Sequence, residues 1–488
     1  MTSNTVTKHH SQDRLLIGGN WEGARSGAEI EVHDPSTNRL IATVPAGGKD
    51  EARRAIDAAS QALPAWRALP GSERSKLLRR LFELMMVNQD RLGRLMTAEQ
   101  GKPIAEAKGE IAYAAGFIEW SAEEAKRIYG EVVQAFVPNK RILVLHQPVG
   151  VAVAITPWNF PAAMITRKLG PALAAGCTMV VKPASLTPLS AIAIGELAME
   201  AGIPVGVINI VTGNSVEIAD AWLADERVRA MSFTGSTEVG KQLMRKAATH
   251  VTRVSLELGG HAPFLVFDDA QLDAAVAGAI VSKFRNAGQT CICANRIYVQ
   301  AGIYDRFVEE LATAAETLRV GPGDEPGVAL GPLVDDKALA KVEEHVADAL
   351  AQGAQLRTGG HRLPQGEGYA DRFYAPTVLE GATPNMKVSY EETFGPVAPV
   401  IRFSTEEEGI RLANDTPYGL AAYFYTTDAS RLIRVAEALD YGIVGANDAL
   451  PSTPQAPFGG MKESGIGREG GKWGVEEYLE TKYVSWGL

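Results

Sequence analysis

Between Lys49 and Ile128 the apolar residues recur three and four positions apart, most clearly in Ala52 to Ala62 and in Ser72 to Val87. That spacing gathers them on one face of a helix and predicts helices packed against another element. From Arg141 the texture changes. Short apolar runs at Val149 to Thr156, Thr178 to Lys182, Val207 to Val211 and Arg229 to Phe233 alternate with helical stretches. Strands covered on both faces carry continuous apolar runs, so this alternation predicts a parallel sheet with crossover helices. After a break at Leu256 to His261, a second alternation follows through Ala262 to Phe267, Arg296 to Gln300 and Val397 to Phe403. Two α/β domains are the simplest account. Neither half repeats the other at a fixed period, which argues against a solenoid. The Gly- and Pro-rich stretch Pro451 to Gly471 predicts a long functional loop, and Lys482 to Trp486 a last strand.

At 488 residues the chain exceeds a single core, and 46% apolar with 22% charged residues fits packed domains rather than disorder. A net charge of −10 without a basic patch points away from nucleic acid as a partner. Apolar stretches such as Val149 to Ile155 are too short to cross a bilayer, so no membrane partner is expected either. Met1 to Gln12 is polar and lacks an apolar core, which fits neither a signal peptide nor an anchor; a cytoplasmic location is the default. Cys177, Cys291 and Cys293 are too few and too clustered for a disulfide framework, so reduced thiols are expected. The eight histidines, including His9 and His10 near the N-terminus, form no HExxH pattern, and no structural metal is expected.

Four segments combine residue types that chemistry can use. Asn286-Ala-Gly-Gln-Thr-Cys291-Ile-Cys293 sets a thiol in a small, polar, Gly-containing loop. A thiol attacks only as thiolate, so a neighbour must lower its pKa or remove its proton; on residues alone, Cys291 could equally be a small buried apolar group. Glu257, between two leucines and ahead of Gly259-Gly260, is either turned out by the turn or held as a general base. Phe233-Thr-Gly235-Ser236 follows an apolar run and opens an amphipathic helix, where backbone N–H groups and the helix dipole favour a phosphate. It is not GxGxxG, and a structural strand-to-helix turn reads the same way. Thr156-Pro-Trp158-Asn159-Phe-Pro161 joins a stacking ring to an amide that could donate to an oxyanion, or could simply make a turn.

Taken in order, Pro-Trp-Asn-Phe-Pro, Phe-Thr-Gly-Ser, Glu-Leu-Gly-Gly, Gly-Gln-Thr-Cys, Glu-Glu-Thr-Phe-Gly-Pro and Pro-Phe-Gly-Gly-Met-Lys-Glu-Ser-Gly make the chain resemble the aldehyde dehydrogenase superfamily from about Leu15 to Leu488. The resemblance implies an α/β fold with three parts. A Rossmann-like cofactor domain would take 13–123 and 148–256, a catalytic domain 257–470, and a small β oligomerisation flap 124–147 with 471–488. It implies Cys291 as nucleophile, Glu257 as general base, Asn159 with the Cys291 N–H as oxyanion hole, and Lys168 near Glu257 to help move its proton. It places Thr156, Trp158, Lys182, Ser185, Gly235 and Ser236 around the adenosine and pyrophosphate of a dinucleotide, and Glu392 and Phe394 around the nicotinamide ribose. Ser185 stands where NAD-selective relatives often carry an acid. With Lys182 nearby, a 2′-phosphate is tolerated, so NADP or NAD is expected as cofactor. A homotetramer or homodimer acting on a small-molecule aldehyde completes the expectation.

Within the superfamily, Met164-Ile-Thr-Arg167-Lys168 and Lys283-Phe-Arg285-Asn286 are similar to the succinate-semialdehyde dehydrogenases. A distal carboxylate needs a cation, and Arg167 and Arg285 are the candidates, with Ser452 as hydroxyl donor. Without the resemblance, salt bridges would explain both arginines. Asp448, with Pro451 and Pro454 in the same loop, departs from that pattern and opens glutarate, 2-oxo or hydroxy semialdehydes, or a broad-specificity enzyme, as alternatives. The Cys291 and Cys293 pair suggests an oxidative switch. In an extended segment both thiols point one way but lie too far apart for a relaxed disulfide, so loop movement would be needed, and Cys293 could simply pack. A non-catalytic protein that keeps the fold is the competing class; nucleophile, base and donor at matching positions argue against it.

Overall fold

A computed structural model describes residues 14–488; Met1 to Gln12, with its two histidines, and Asp13 lie outside the described residues. The segment with three-four spacing forms four helices, Lys49–Ala68, Gly71–Val87, Gln89–Gln100 and Ile104–Glu124. Their buried residues are the periodic ones, such as Ala52, Ala55, Ile56 and Ala59 in the first and Leu78, Leu81 and Met85 in the second.

Eight strands form the first sheet, in the order Asn20–Glu22, Leu15–Ile17, Ile208–Ile210, Thr178–Lys182, Val151–Ile155, Val228–Thr234, Arg253–Glu257 and Gly465–Ile466. The five inner strands run parallel. Val151–Ile155 and Thr178–Lys182 are buried at every residue, which is why their apolar runs are unbroken. From Val151–Ile155 the chain builds outward on one side, then returns to build on the other. Such a reversal opens a crevice beyond the carboxyl ends of the strands, here between the loops after Ile155 and Thr234.

Leu258-Gly259-Gly260-His261 carries the chain from the last parallel strand of the first sheet into a second. This sheet has the order Gln355–Thr358, Thr377–Glu380, Val397–Phe403, Ala294–Gln300, Ala262–Val266, Ala421–Tyr425 and Ile443–Ala446, parallel except for Gln355–Thr358. Glu257 thus ends one sheet a few residues before the next begins. Gly465–Ile466 comes back to pair with Arg253–Glu257, so the stretch before 470 returns to the first sheet. The final strand is longer than its sequence suggests: Leu479–Gly487 pairs with Lys140–Pro148, which pairs with Glu131–Val133 in a separate antiparallel sheet.

Candidate active site

The loop that carries Cys291 is wound the wrong way for ordinary residues. After the helix Leu272–Phe284, Asn286 (φ 50°), Ala287 (φ 53°) and Gly288 (φ 75°) are all left-handed. Each non-glycine residue there costs on the order of 1–3 kcal/mol, so surrounding bonds must impose the turn. The Asn286 Nδ2 donates to the carbonyls of Asn159 (3.1 Å) and Gln289 (3.2 Å), its Oδ1 accepts from Gln100 Nε2 at 3.1 Å, and its N–H donates to Glu106 Oε2 at 3.0 Å. At Gly288 a Cβ would lie 2.1 Å from the Gly395 carbonyl oxygen, so only glycine fits. Cys291 follows, half-buried against the crevice.

Cys291 and Ile292 make a turn, not the extended segment expected from the sequence, and the two thiols enter different surroundings. The Cys293 N–H donates to the Thr290 carbonyl at 3.1 Å, and its fully buried Sγ faces the Lys283 carbonyl at 3.6 Å. Cys293 packs inward, away from the crevice that Cys291 lines.

Glu257 is 3% exposed, and neither carboxyl oxygen has a well-formed hydrogen bond. Burial, then the nearby Glu469, push this carboxyl up to about 7, against the pull of Arg167 and Lys168. Burial and the facing Glu257 also push the Cys291 thiol well above its ordinary value. The pair therefore rests largely protonated in the acid range, and a base half-ionised near neutrality sits beside the thiol. Asn159 Nδ2 donates one hydrogen to the Gln289 carbonyl at 3.1 Å and keeps its second. Its backbone is pinned by Lys102 Nζ, which donates to the Asn159 carbonyl at 2.8 Å and to Glu110 Oε2 at 2.5 Å. The other Glu110 oxygen accepts from the N–H groups of Ala162 (3.0 Å) and Ala163 (3.2 Å), fixing the start of the helix Ala163–Ala175.

That helix carries Arg167 and Lys168. Arg167 Nε lies 3.0 Å from Glu469 Oε2, and its guanidinium is sandwiched between the rings of Phe458 (4.0 Å) and Phe117 (5.0 Å). Lys168 Nζ bonds Glu469 Oε1 and donates to Thr234 Oγ1 at 2.6 Å. All are buried. Arg167, expected to meet a substrate carboxylate, pairs with Glu469 and also donates to the Tyr113 hydroxyl at 3.4 Å; Lys168 lies in the field of Glu257. Sequence reasoning missed Glu469, Lys102, Glu110 and Asn286. Only the presence of an acid on the buried face of the helix Ile104–Glu124 could have flagged Glu110; Lys102, in the link before that helix, carried no signal.

A cavity of about 210 Å³ brings Trp158, Asn159, Gly235 and Ser236 together with Glu257, Cys291, Glu392 and Phe394. Ser236 caps the helix Thr237–Ala247, its side chain accepting from the Val239 N–H at 3.4 Å, so free N–H groups and the positive end of the helix dipole face the crevice. At Gly235 a Cβ would lie 2.6 Å from the Phe233 ring, leaving this backbone open to close approach. Thr156 Oγ1 is buried without a partner. Phe394 is held at φ 54° with its ring edge-on to Trp158 at 5.6 Å, and Glu392, pushed up to about 8 by burial, accepts from the Gly260 N–H at 3.4 Å. These features fit a dinucleotide. Lys182, pushed down to about 8 by burial, and half-buried Ser185 follow the neighbouring strand and do not line this cavity.

A second cavity, of about 590 Å³, is lined by Tyr113, Phe160, Arg285, Leu450 and Ser452, with Glu106 at its wall. The Arg285 guanidinium lies 4.9 Å above the Phe160 ring, and Ser452 bonds the Tyr113 hydroxyl. Asp448 is exposed and turned into its own loop, accepting from the Leu450 N–H at 2.9 Å, so it does not oppose Arg285. Among the described residues, no group of three or more His, Cys, Asp or Glu side chains is placed to hold a metal.

A thiol, a buried carboxyl and an amide donor meet at the mouth of a dinucleotide crevice, and the model of the aldehyde dehydrogenase family matches residues 21–484. The chain belongs to that family, whose members are NAD(P)-dependent enzymes that oxidise aldehydes. It is 58% identical over 477 residues to the NADP-dependent succinate-semialdehyde dehydrogenase GabD of Escherichia coli (strain K12), covering 98% of each chain. To a glutarate-semialdehyde dehydrogenase of Pseudomonas putida it is 60% identical over 473 residues, covering 97% of each. A crystal structure of an E. coli NADP-dependent enzyme superposes with a TM-score of 0.96 at 58% identity, over 99% of this chain and 100% of that one.

Proposed function

We propose that the protein oxidises succinate semialdehyde to succinate on Cys291, with Arg285 and Ser452 receiving the distal carboxylate. Glu257 takes the thiol proton, and the thiolate attacks the aldehyde carbon. The free Asn159 N–H and the Cys291 backbone N–H receive the oxyanion, where a preorganised donor gains most from the absence of water. Trp158, Gly235, Ser236, Glu392 and Phe394, with Thr156, Lys182 and Ser185, would hold NADP or NAD, which would supply the hydride acceptor. Glu257, having released that first proton to solvent, then removes a proton from the water that cleaves the thioester, which frees the carboxylic acid and the Cys291 thiolate. Its carboxyl, pushed up to about 7, is matched to both proton transfers.

The observation that carries the substrate class is Arg285 in the 590 Å³ cavity, stacked on Phe160, the residue next to Asn159. Asp448 faces away, and the cavity has room for one more methylene, so glutarate semialdehyde is a second substrate of the same class. Initial rates with both semialdehydes and with propanal, in the protein and in Arg285→Leu, test this. A hydrogen bond to a charged group contributes about 1.5–3 kcal/mol, so KM should rise roughly ten- to a hundredfold for the semialdehydes and stay level for propanal. An equal rise for propanal would remove Arg285 from the substrate site. Assembly belongs to the same reading: the antiparallel sheet exposes Val132, Tyr483 and Trp486, and the loop between its first two strands exposes Phe136, which suits pairing of copies into a dimer or tetramer. All three cysteines are free, which fits a reducing cytoplasm.

A further inference from the structure

The inward face of the helix Asp336–Ala351 grips the segment that enters the cofactor crevice. Asp348 Oδ2 accepts from the Lys387 N–H at 2.8 Å, and Glu344 pairs with the Lys387 side chain. Val342 abuts Gly395, where a Cβ would lie 2.3 Å from its Cγ2. Between these contacts sits His345, fully buried, with Nδ1 3.1 Å from Thr393 Oγ1 and Nε2 3.4 Å from Glu391 Oε2. Those two partners flank Glu392, and Phe394 follows in its left-handed conformation. The buried neighbours on this face are Leu339, Val342, Val346 and Ala349, so a leucine at 345 would serve packing alone. Histidine adds two polar atoms, each reaching a different side of Glu392.

We propose that His345 is a positioning residue for the cofactor: with Nδ1 bonded to Thr393 and Nε2 facing the Glu391 carboxylate, its imidazole fixes Glu392 and Phe394 in the crevice. The Glu391 carboxylate, 3.4 Å away, favours the proton on Nε2 although that atom makes no well-formed hydrogen bond, and Nδ1 then accepts from the Thr393 hydroxyl. A charged imidazolium would break the second bond. Burial, followed by Lys341, lowers the His345 pKa, and Glu391 and Glu344 act the other way; Asp348 and His261 complete the titratable surroundings. The neutral ring that the geometry needs is therefore the favoured one. This inference rests on the assignment of Glu392 and Phe394 to the cofactor.

The test measures KM for NADP and kcat in His345→Leu, His345→Asn, Thr393→Val and Glu392→Gln, beside cofactor-free hydrolysis of p-nitrophenyl acetate. Ester hydrolysis needs only the nucleophile and its base, so it reports separately on that machinery. Loss of the Thr393 hydrogen bond and of the Glu391 contact should raise KM for NADP about fivefold in His345→Leu, with ester hydrolysis within about twofold of the parent. His345→Asn, whose amide oxygen can replace Nδ1, should recover most of that loss, and Thr393→Val should raise KM on its own. Should the leucine variant not fold, Thr393→Val carries the same expectation with one hydroxyl changed. An unchanged KM in both, or ester hydrolysis falling in step, overturns the proposal. If Glu392→Gln raises KM and the other variants do not, only the role of His345 fails; if Glu392→Gln is also silent, the cofactor assignment of the loop fails with it.

Discussion

Replacing Glu469 by glutamine keeps the shape of a side chain that is 5% exposed but removes the anion directly paired with Arg167 and Lys168. The Glu257 carboxyl is pushed from 4.5 to about 7, first by burial and then by Glu469. Burial survives the substitution. The repulsion does not, and the two cations then act on Glu257 alone. Losing one like-charged neighbour in a buried site moves a carboxyl by on the order of one unit, about 1.4 kcal/mol. At pH 6 the ionised fraction of Glu257 then rises from about one tenth to about one half, while at pH 8 it barely changes. A base works only when ionised, so activity falls as pH drops through its pKa. The acid limb of kcat/KM, centred near 7 in the parent, should move to about 6 in Glu469→Gln. The variant-to-parent ratio should then be about fivefold higher at pH 6 than at pH 8. Initial rates of aldehyde oxidation across roughly pH 5 to 9 read this directly, and the shift survives any uniform loss of rate from leaving Arg167 and Lys168 unbalanced. A limb that stays in place, or moves upward, refutes the coupling of Glu469 to the base.

Two further outcomes follow from the same geometry. Asn159→Ala should lower kcat on the order of a hundred- to a thousandfold, the usual cost of one oxyanion donor, with KM for the cofactor little changed; a loss below about tenfold would take Asn159 out of that role. Lys182, pushed down to about 8 by burial, is charged below that pH and neutral above it. The preference for NADP over NAD, taken as a ratio of kcat/KM values, should therefore fall as pH rises through 8, and a constant ratio would mean that Lys182 does not meet the 2′-phosphate.

Local chemistry explains what could be seen along the chain. Apolar runs located seven of the strands, four in the first sheet and three in the second, to within about two residues because strands covered on both faces are made mostly of apolar residues. Phe233-Thr-Gly-Ser marked a strand-to-helix turn because Ser236 caps the helix that follows. Cys291, Glu257 and Asn159 stood out because their motifs resemble those of a known family, and the fold gathers all three at one cavity. The sequence by itself therefore determined those strands, that strand-to-helix turn and the candidates for the reacting groups, each being a matter of neighbours in the chain. What only the tertiary structure decided is which charges meet. Arg167 and Arg285 look alike in sequence, yet one is locked to Glu469, 302 residues away along the chain by their numbering, while the other stands in an open cavity. Cys291 and Cys293 look like a pair, yet a turn sends one to the crevice and the other into the core. Burial and Coulomb forces act through space, so the proton affinity of Glu257 and the grip of His345 on the cofactor segment exist only once distant segments are packed together.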